Sequence, residues 1–444
     1  MRRLVRPVAA ILSFLTLPLV GGCNQYELFR LAGYQQESFS NKADVVFVVD
    51  NSNSMEDEAE DLALNFDSFI NNLTSADGSG VQTDDLADAV NNYITYVTDR
   101  GRILDYQLSI TTTSVEPQYK SDGSQVPGGY GALVGTGVVT DDEADVAGTF
   151  RANLLCEATC WSEATMPSDP GYECGTPPDQ VTQEFLDCEC GFEAWENNCG
   201  AGNEEHLEAI HLAMCRMVEN PPESCLDGTT LFTEADIGSN SELVRENGTL
   251  IFVVVSDEGD GSRRMTSGDN DPAVYLDLFA EFGLRYRVAV IGPAYDPDTS
   301  DFSCNSGGAT TWGSVRLRSV AEATGGFYNP IAEQGSGGDC ENSDFSVHLD
   351  DLGALLQALQ TSFPLQAVPD VATIIVYING EAVPAAAVDE AMLEETGLTE
   401  YSDGWSYDPA TNAIEFHGTY VPDYNSDVQI YYRPLEGNPR TLPF

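Results

Sequence analysis

"ADVVFVVDNSNSM", residues 43–55, sets an unbroken apolar run against an aspartate and two alternating serines. Val45, Val46, Phe47, Val48 and Val49 show no polar alternation, the pattern of a strand covered on both faces in the middle of a parallel sheet. Asp50, Ser52 and Ser54 follow just past its C-terminal end. In open α/β sheets ligands bind at that edge, because successive loops converge there. A cluster of oxygen groups in that place points to a hard metal ion.

Around this stretch lies a chain of 444 residues, enough for two or three domains with a core each. It carries 72 Asp and Glu against 19 Lys and Arg, a formal charge of -53, and its lysines are Lys42 and Lys120 alone. Such a surface repels nucleic acid and anionic lipid and attracts divalent cations, so nucleic acid is set aside as a partner. Two readings of the charge stand. One is a solvated surface adapted to salty surroundings, where screening blunts self-repulsion; the other is a distribution built for one partner.

The start, "MRRLVRPVAAILSFLTLPLVGGC", has a basic head, an apolar run broken by Pro18 and small residues before a cysteine. This predicts a secretory signal over 1–22, too short for a comfortable membrane span. "LVGGC" resembles a bacterial lipobox, which would make Cys23 the lipidated first residue of the mature chain and 23–42 a tether; a plain signal peptide cut elsewhere is the alternative. The expected location is exported, at the outer membrane or cell surface, with the membrane met through a lipid.

Of 11 cysteines, setting Cys23 aside leaves ten. Eight cluster as Cys156, Cys160, Cys174, Cys188, Cys190, Cys199, Cys215 and Cys225, and Cys304 and Cys340 form an obvious separate pair. In an oxidising compartment an even set reads as disulfides, though connectivity within the cluster stays open. Zinc held by "CEC" and its neighbours is the rival, but the spacing fits no standard CxxC pair.

Farther along, "EDEAEDLALNFDSFINNL" places Leu62, Phe66, Phe69, Ile70 and Leu73 on one helical face, with acids on the other and in the first turn. A second helical pattern, "DDLADAVNNYITYVTDRG", precedes the strand "YQLSITTTS". The Gly-, Pro- and Cys-rich stretch from about 115 to 202 reads as a disulfide-stapled insertion. Order resumes with "GNEEHLEAIHLAMCRMV", where Leu207, Ile210, Met214 and Met217 share a face. "TLIFVVVSDEGD", "PAVYLDLFAEFG", "YRVAVIG", "SVRLRSVAEATGGFYNPI" and "FSVHLDDLGALLQALQTSF" then alternate strand and helix. The expected architecture over 43–363 is therefore α/β, a doubly wound, mostly parallel sheet. From Pro369 alternating apolar positions and turn signals predict a small all-β module, bounded at 367–444.

Asp50-x-Ser52-x-Ser54 after a buried strand and before an amphipathic helix resembles the metal-ion-dependent adhesion site of von Willebrand factor type A domains. "VVVSDEGD" is similar to that family's Ser/Thr-Asp-Gly motif, with Asp257 in the coordinating position and Glu258 where the glycine would stand. "ATGGFYNPI" is similar to its late Gly turn and short strand. The resemblance implies a site for Mg2+ or Ca2+, with Mn2+ a further candidate, in which Ser52 and Ser54 ligate directly and Asp50 and Asp257 do so directly or through water. An open position on the ion would then accept an acidic side chain from a partner. The bland alternative for Asp50 and the serines is a helix N-cap cluster.

The family pattern also places a threonine in the loop that opens a helix, six residues before an aliphatic core position. Counting back from Ile210 lands on Glu204. A carboxylate there joins Asp50 and Asp257, so three negatives face a dication and attraction for an acidic ligand weakens. The alternative for Glu204 and Glu205 is favourable charge at a helix N-terminus.

Other chemistry finds little support in the residues. "GGYGALVGTG" lacks GxGxxG spacing, there is no Walker A string and no GxSxG elbow, so no nucleotide is expected. His206, His211, His348 and His417 form no helical metal pair. "DPDTSD", 296–301, reads as a solvated acidic loop before a Ca2+ loop. The sequence thus leads to a non-enzymatic, exported surface protein binding a divalent cation and a protein or other surface macromolecule. An envelope-assembly scaffold is the first alternative; a metal-dependent hydrolase using Glu258 or Asp260 as base is the second.

Overall fold

The structure is a computed structural model; it describes residues 35–39, 42–74, 105–119, 125–126, 128–162, 166–175, 180–191, 199–200, 202–296, 301–304, 310–334, 340–365, 367–388, 401–409, 412–422 and 426–435. The signal segment, Cys23 and the helical pattern at 84–101 lie outside these residues, as does most of the acidic loop at 296–301.

The elements, in chain order, are β1 (Gln35–Phe39), β2 (Lys42–Val49), α1 (Glu56–Thr74), β3 (Asp105–Thr112), β4 (Val139–Thr140), α2 (Val146–Asn153), α3 (Gln183–Glu189), α4 (His206–Met217), β5 (Thr249–Val255), α5 (Ala273–Glu281), β6 (Tyr286–Gly292), α6 (Thr311–Thr324), β7 (Tyr328–Pro330), α7 (Phe345–Thr361), β8 (Ser362–Pro364), β9 (Ile375–Ile378), β10 (Glu381–Val383), β11 (Gly404–Asp408), β12 (Ala413–His417) and β13 (Val428–Tyr432). Short hairpin strands and 3-10 turns fill some of the connections.

Six strands form the central sheet in the order β7-β6-β5-β2-β3-β4, parallel throughout except for β4, which runs against β3. The apolar run of the opening stretch is the middle strand: Val45 to Val49 are at most 1 % exposed, and each is worth about 1.5–3 kcal/mol of burial. Side chains alternate between two cores because successive residues of a strand face opposite ways. Val45, Phe47 and Val49 meet α1, α2 and α7; Val46 and Val48 meet α4, α5 and α6. The result is a sheet between two helical layers.

Two sequence expectations change here. The stretch from 115 to 202 is not merely an inserted loop. It supplies edge strand β4 and helix α2, and Phe150 packs 4.9 Å from Phe47 and stacks 3.8 Å from Phe66. Leu154, Trp161, Met166, Val181 and Leu186 join the same core. Local periodicity failed to show this because α2 is only eight residues long and runs into a π-helical turn at Leu154–Ala158.

The second change concerns the tether. Gln35–Phe39, read from sequence as part of it, is a strand paired antiparallel with β13 in a four-stranded sheet ordered β1-β13-β9-β10. A three-stranded sheet, β8-β12-β11, packs with it. The C-terminal module therefore starts at Ser362 and takes its edge strand from the other end of the α/β domain. Phe39 is the cause: it inserts between Phe363, whose ring is 5.2 Å away, and the Arg285 guanidinium, 4.3 Å above its ring. Among the described residues, no helix is long and apolar enough to cross a membrane.

Candidate metal centre at the sheet crevice

The strand order fixes where a site can form. The chain leaves β2 toward β3 on one side and leaves β5 toward β6 on the other, so the loops after the neighbours β2 and β5 diverge and open a crevice. Backbone pairing continues one residue past the strands: Asp50 N donates to Val255 O at 3.0 Å, Ser256 N to Ile291 O at 3.1 Å and Thr113 N to Val49 O at 3.0 Å. Side chains of Asp50 and Ser256 to Asp260 are thus launched from rigid backbone.

Asp50 is 1 % exposed and held on both oxygens. Its Oδ1 accepts from Ser52 N at 2.8 Å, and its Oδ2 accepts from Ser256 Oγ at 2.7 Å. Ser52 and Ser54 hydroxyls lie 2.9 Å apart, and Ser54 Oγ donates to Asp257 Oδ1 at 3.1 Å. The hydroxyls therefore point across the crevice to the neighbouring strand end. Capping would have turned them along α1 toward its free amides.

Glu204 arrives at the crevice from the loop before α4, pinned on both sides by backbone. Glu205 N donates to Thr113 O at 3.2 Å, and Gly261 N to Glu204 O at 2.8 Å. The Glu204 side chain, 2 % exposed, is near enough to Glu258 and Asp50 that both raise its carboxyl. The five residues singled out from the sequence, Asp50, Ser52, Ser54, Glu204 and Asp257, are thereby brought together in one place.

Neither Glu204 nor Glu205 caps α4 by side chain. Asp260 Oδ1 accepts from Leu207 N at 3.1 Å and Ser262 Oγ accepts from Glu208 N at 3.0 Å, so the cap comes from the loop after β5. Glu205 instead pairs with Arg263 through two guanidinium nitrogens. Asp260 is fully buried against Arg316, at 3.3 Å, and accepts from Ser262 Oγ at 2.6 Å. That leaves it tied to structure. Glu208 accepts from Arg264 and from Tyr275 OH at 2.7 Å; burial pushes its carboxyl up, but His211, 3.6 Å away, and Arg264 outweigh that and hold it low, at about 2.

The electrostatics of the crevice run the other way. Burial pushes the Glu204 carboxyl far above its ordinary value, and Glu258 and Asp50 push it further. Glu58, in the first turn of α1 and 4 % exposed, is pushed up to about 8 by burial, with Asp257, Asp57 and Asp61 adding to it. Asp50 is raised by burial, with the His206 charge and the Ser256 and Ser52 hydrogen bonds opposing. Buried carboxylates this close repel one another unless protons or a cation intervene. Glu204 Oε1 and Glu58 Oε2 are buried with no hydrogen-bond partner. The oxygen donors among these residues, some of them orphaned, fit a hard divalent cation.

Sequence reasoning did not assign Ser256 or Glu58 to the crevice. Ser256 could have been found as the residue flanking Asp257 at the strand end. Glu58 carried no such signal, since a first-turn acid ordinarily faces solvent as a dipole partner.

The stapled segment reaches the same loop. Cysteines pair as Cys156–Cys190, Cys160–Cys199, Cys174–Cys188 and Cys215–Cys225. Next to Cys199, Gly200 N donates to Asn51 O at 2.7 Å, and Asn51 Oδ1 accepts from Ser114 Oγ at 2.8 Å. A side chain at Gly200 would collide with both Asn51 and Ser114, with a Cβ only 2.2 Å from Asn51 Oδ1. The side chains of Cys304 and Cys340 lie outside the described residues. His211, Cys215 and Cys225 cluster closely, but both sulfurs are spent in the disulfide.

No family model matches the chain, and no curated protein matches it. Solved structures do. A von Willebrand factor type A protein from Catenulispora acidiphila matches with a TM-score of 0.29 and 9 % identity, over 91 % of this chain and 66 % of the other. The pilus adhesin RrgA from Streptococcus pneumoniae matches at 0.25 and 10 %, over 90 % and 58 %. The adhesive tip pilin GBS104 from group B Streptococcus agalactiae matches at 0.28 and 10 %, over 91 % and 81 %. This chain thus spans under two thirds of the first two. At such low overlap it is the strand order and the crevice, rather than these likenesses, that bear on function.

Proposed function

We propose that the chain is an exported, lipid-anchored surface protein of the von Willebrand factor A type, which binds a divalent cation at the crevice and a protein or other surface macromolecule through the ion or beside it. The observation that carries this reading is the meeting of Ser54 Oγ with Asp257 Oδ1, 203 residues apart in sequence, beside the Asp50 carboxylate at the switch point of the sheet. Asp50, Ser52, Ser54 and Asp257 would hold the ion, with Glu204 within reach. The ion would offset the buried carboxylate charge and tie the loops after β2 and β5 together. Export is supported by the signal-like start, and by four disulfides, which persist in oxidising compartments.

Isothermal titration of the chelator-stripped protein with CaCl2, MgCl2 and MnCl2 tests the reading. Saturable binding at one site, lost in Asp50→Ala, is expected. Absence of binding, or equal affinity in Asp50→Ala, would overturn it. Cys23→Ser should in turn move the protein from the membrane to the soluble fraction.

A further inference from the structure

An ion held only by Asp50, Ser52, Ser54 and Asp257 keeps coordination positions for water and for a partner. This crevice holds more oxygens than that. Glu204 is nine-tenths buried or better, faces the crevice, and has one carboxylate oxygen without a hydrogen-bond partner. Glu258 is near enough to push the Glu204 carboxyl up, and it comes from the turn that Ser256 Oγ closes by accepting from Glu258 N at 3.0 Å. Both acids are built in by backbone: the Glu204 carbonyl is pinned by Gly261 N, and the loop before it is crowded, with a Cβ on Gly261 falling 2.8 Å from Asn203 Oδ1. Among the described residues, no guanidinium pairs with either. Arg263 and Arg264, the nearest cations along the chain, are committed to Glu205 and Glu208.

We propose that the site is closed from within: Glu204 and Glu258 occupy the coordination positions that an open site would offer to a partner's carboxylate, so the crevice holds Ca2+ in preference to Mg2+ and takes no acidic ligand. The inference rests on the cation reading above. Four carboxylates and two hydroxyls supply six or more protein oxygens, the number and kind that Ca2+ accepts in flexible geometry. Mg2+ demands a tight octahedron and keeps several waters, whose positions six or more protein oxygens would take instead. Charge gives the second half of the claim. A dication among Asp50, Glu204, Asp257 and Glu258 leaves two formal negatives, which repel an acidic side chain in a buried setting. A macromolecule binding here would then dock beside the ion, against a face whose order the ion maintains.

The test uses the full chain, stripped of metal and titrated with CaCl2 and MgCl2. Ca2+ is expected to bind at least tenfold more tightly than Mg2+. Glu204→Gln, which keeps the shape of the side chain, should weaken Ca2+ at least tenfold and narrow the preference. A hexaglutamate peptide should show no cation-dependent binding to the wild-type protein, whereas Glu204→Thr combined with Glu258→Gly should acquire it. Ca2+ affinity unchanged in Glu204→Gln, a preference for Mg2+, or Ca2+-dependent capture of hexaglutamate by the wild-type protein would each overturn the closed site. Failure of the cation reading looks different: no cation would bind, or binding would survive Asp50→Ala.

Discussion

At the scale of single residues, Asp50 illustrates how the site is set. Its two oxygens are oriented by Ser52 N and Ser256 Oγ, and the second of these is a partner behind any ligand. Removing such a support ordinarily costs about 10- to 100-fold in metal affinity. Ser256→Ala should therefore weaken cation binding about tenfold, measured calorimetrically, with the fold intact by circular dichroism; unchanged affinity would mean that Asp50 needs no such orientation. A second prediction follows from charge. Glu58, raised to about 8, and Asp44, raised to about 7 by burial despite Arg245, keep protons in the fold at pH values where the unfolded chain has lost them. Their contribution is complete below about pH 4 and is lost as pH rises through 7 and 8. The thermal midpoint of the chelator-treated protein should fall between about pH 5 and about pH 8.5. A midpoint that climbs over that interval would show these carboxyls ionised in the fold. Asp50, Ser52, Ser54 and Asp257 were legible in the sequence because each follows a recognisable buried strand. Glu58 was not, because only the packing of α1 over the strand end turns a surface acid inward.

At the scale of elements, the periodic pieces were readable and the short ones were not. The strands β2, β5 and β6 and the helices α1, α4 and α7 announce themselves by run length and spacing. Helix α4 was expected to bury one face, yet His206 to Met217 are all buried. Its other side is covered by the first part of the 115–202 segment and by the loop before β5, through Arg216, which donates to Tyr130 O at 2.7 Å and Asp236 Oδ1 at 2.9 Å. Such cover is a long-range event that no local pattern records. The segment from 115 to 202 is the larger case, since α2 brings Phe150 against Phe47 and Phe66. Phe150→Ala should cost about 3–5 kcal/mol in urea denaturation, as expected for an aromatic ring removed from a main core. A cost under about 1 kcal/mol would return this segment to the status of a surface ornament.

At the scale of the molecule, the α/β domain stands between two pieces of one β module. β1 enters before the central sheet, while β8 to β13 follow it, and Phe39 joins the pieces beneath Arg285. Phe39→Ala should lower stability by about 3 kcal/mol or more. It should do so in the transition that reports the β module, followed by the fluorescence of the buried Trp405; a loss confined to the α/β domain would contradict the shared module. The sequence hid this arrangement because "QQESF" has no alternation of its own and becomes a strand only by pairing with β13. The site lies at the opposite, C-terminal edge of the central sheet, where the loops after β2 and β5 part. Whether a cation sits there is most directly read by anomalous diffraction from crystals grown in MnCl2 or CaCl2. A single strong peak bounded by Asp50, Ser52, Ser54 and Asp257 is expected; no peak in the crevice, with the carboxyl groups of Asp50 and Glu204 protonated and in contact, would contradict it.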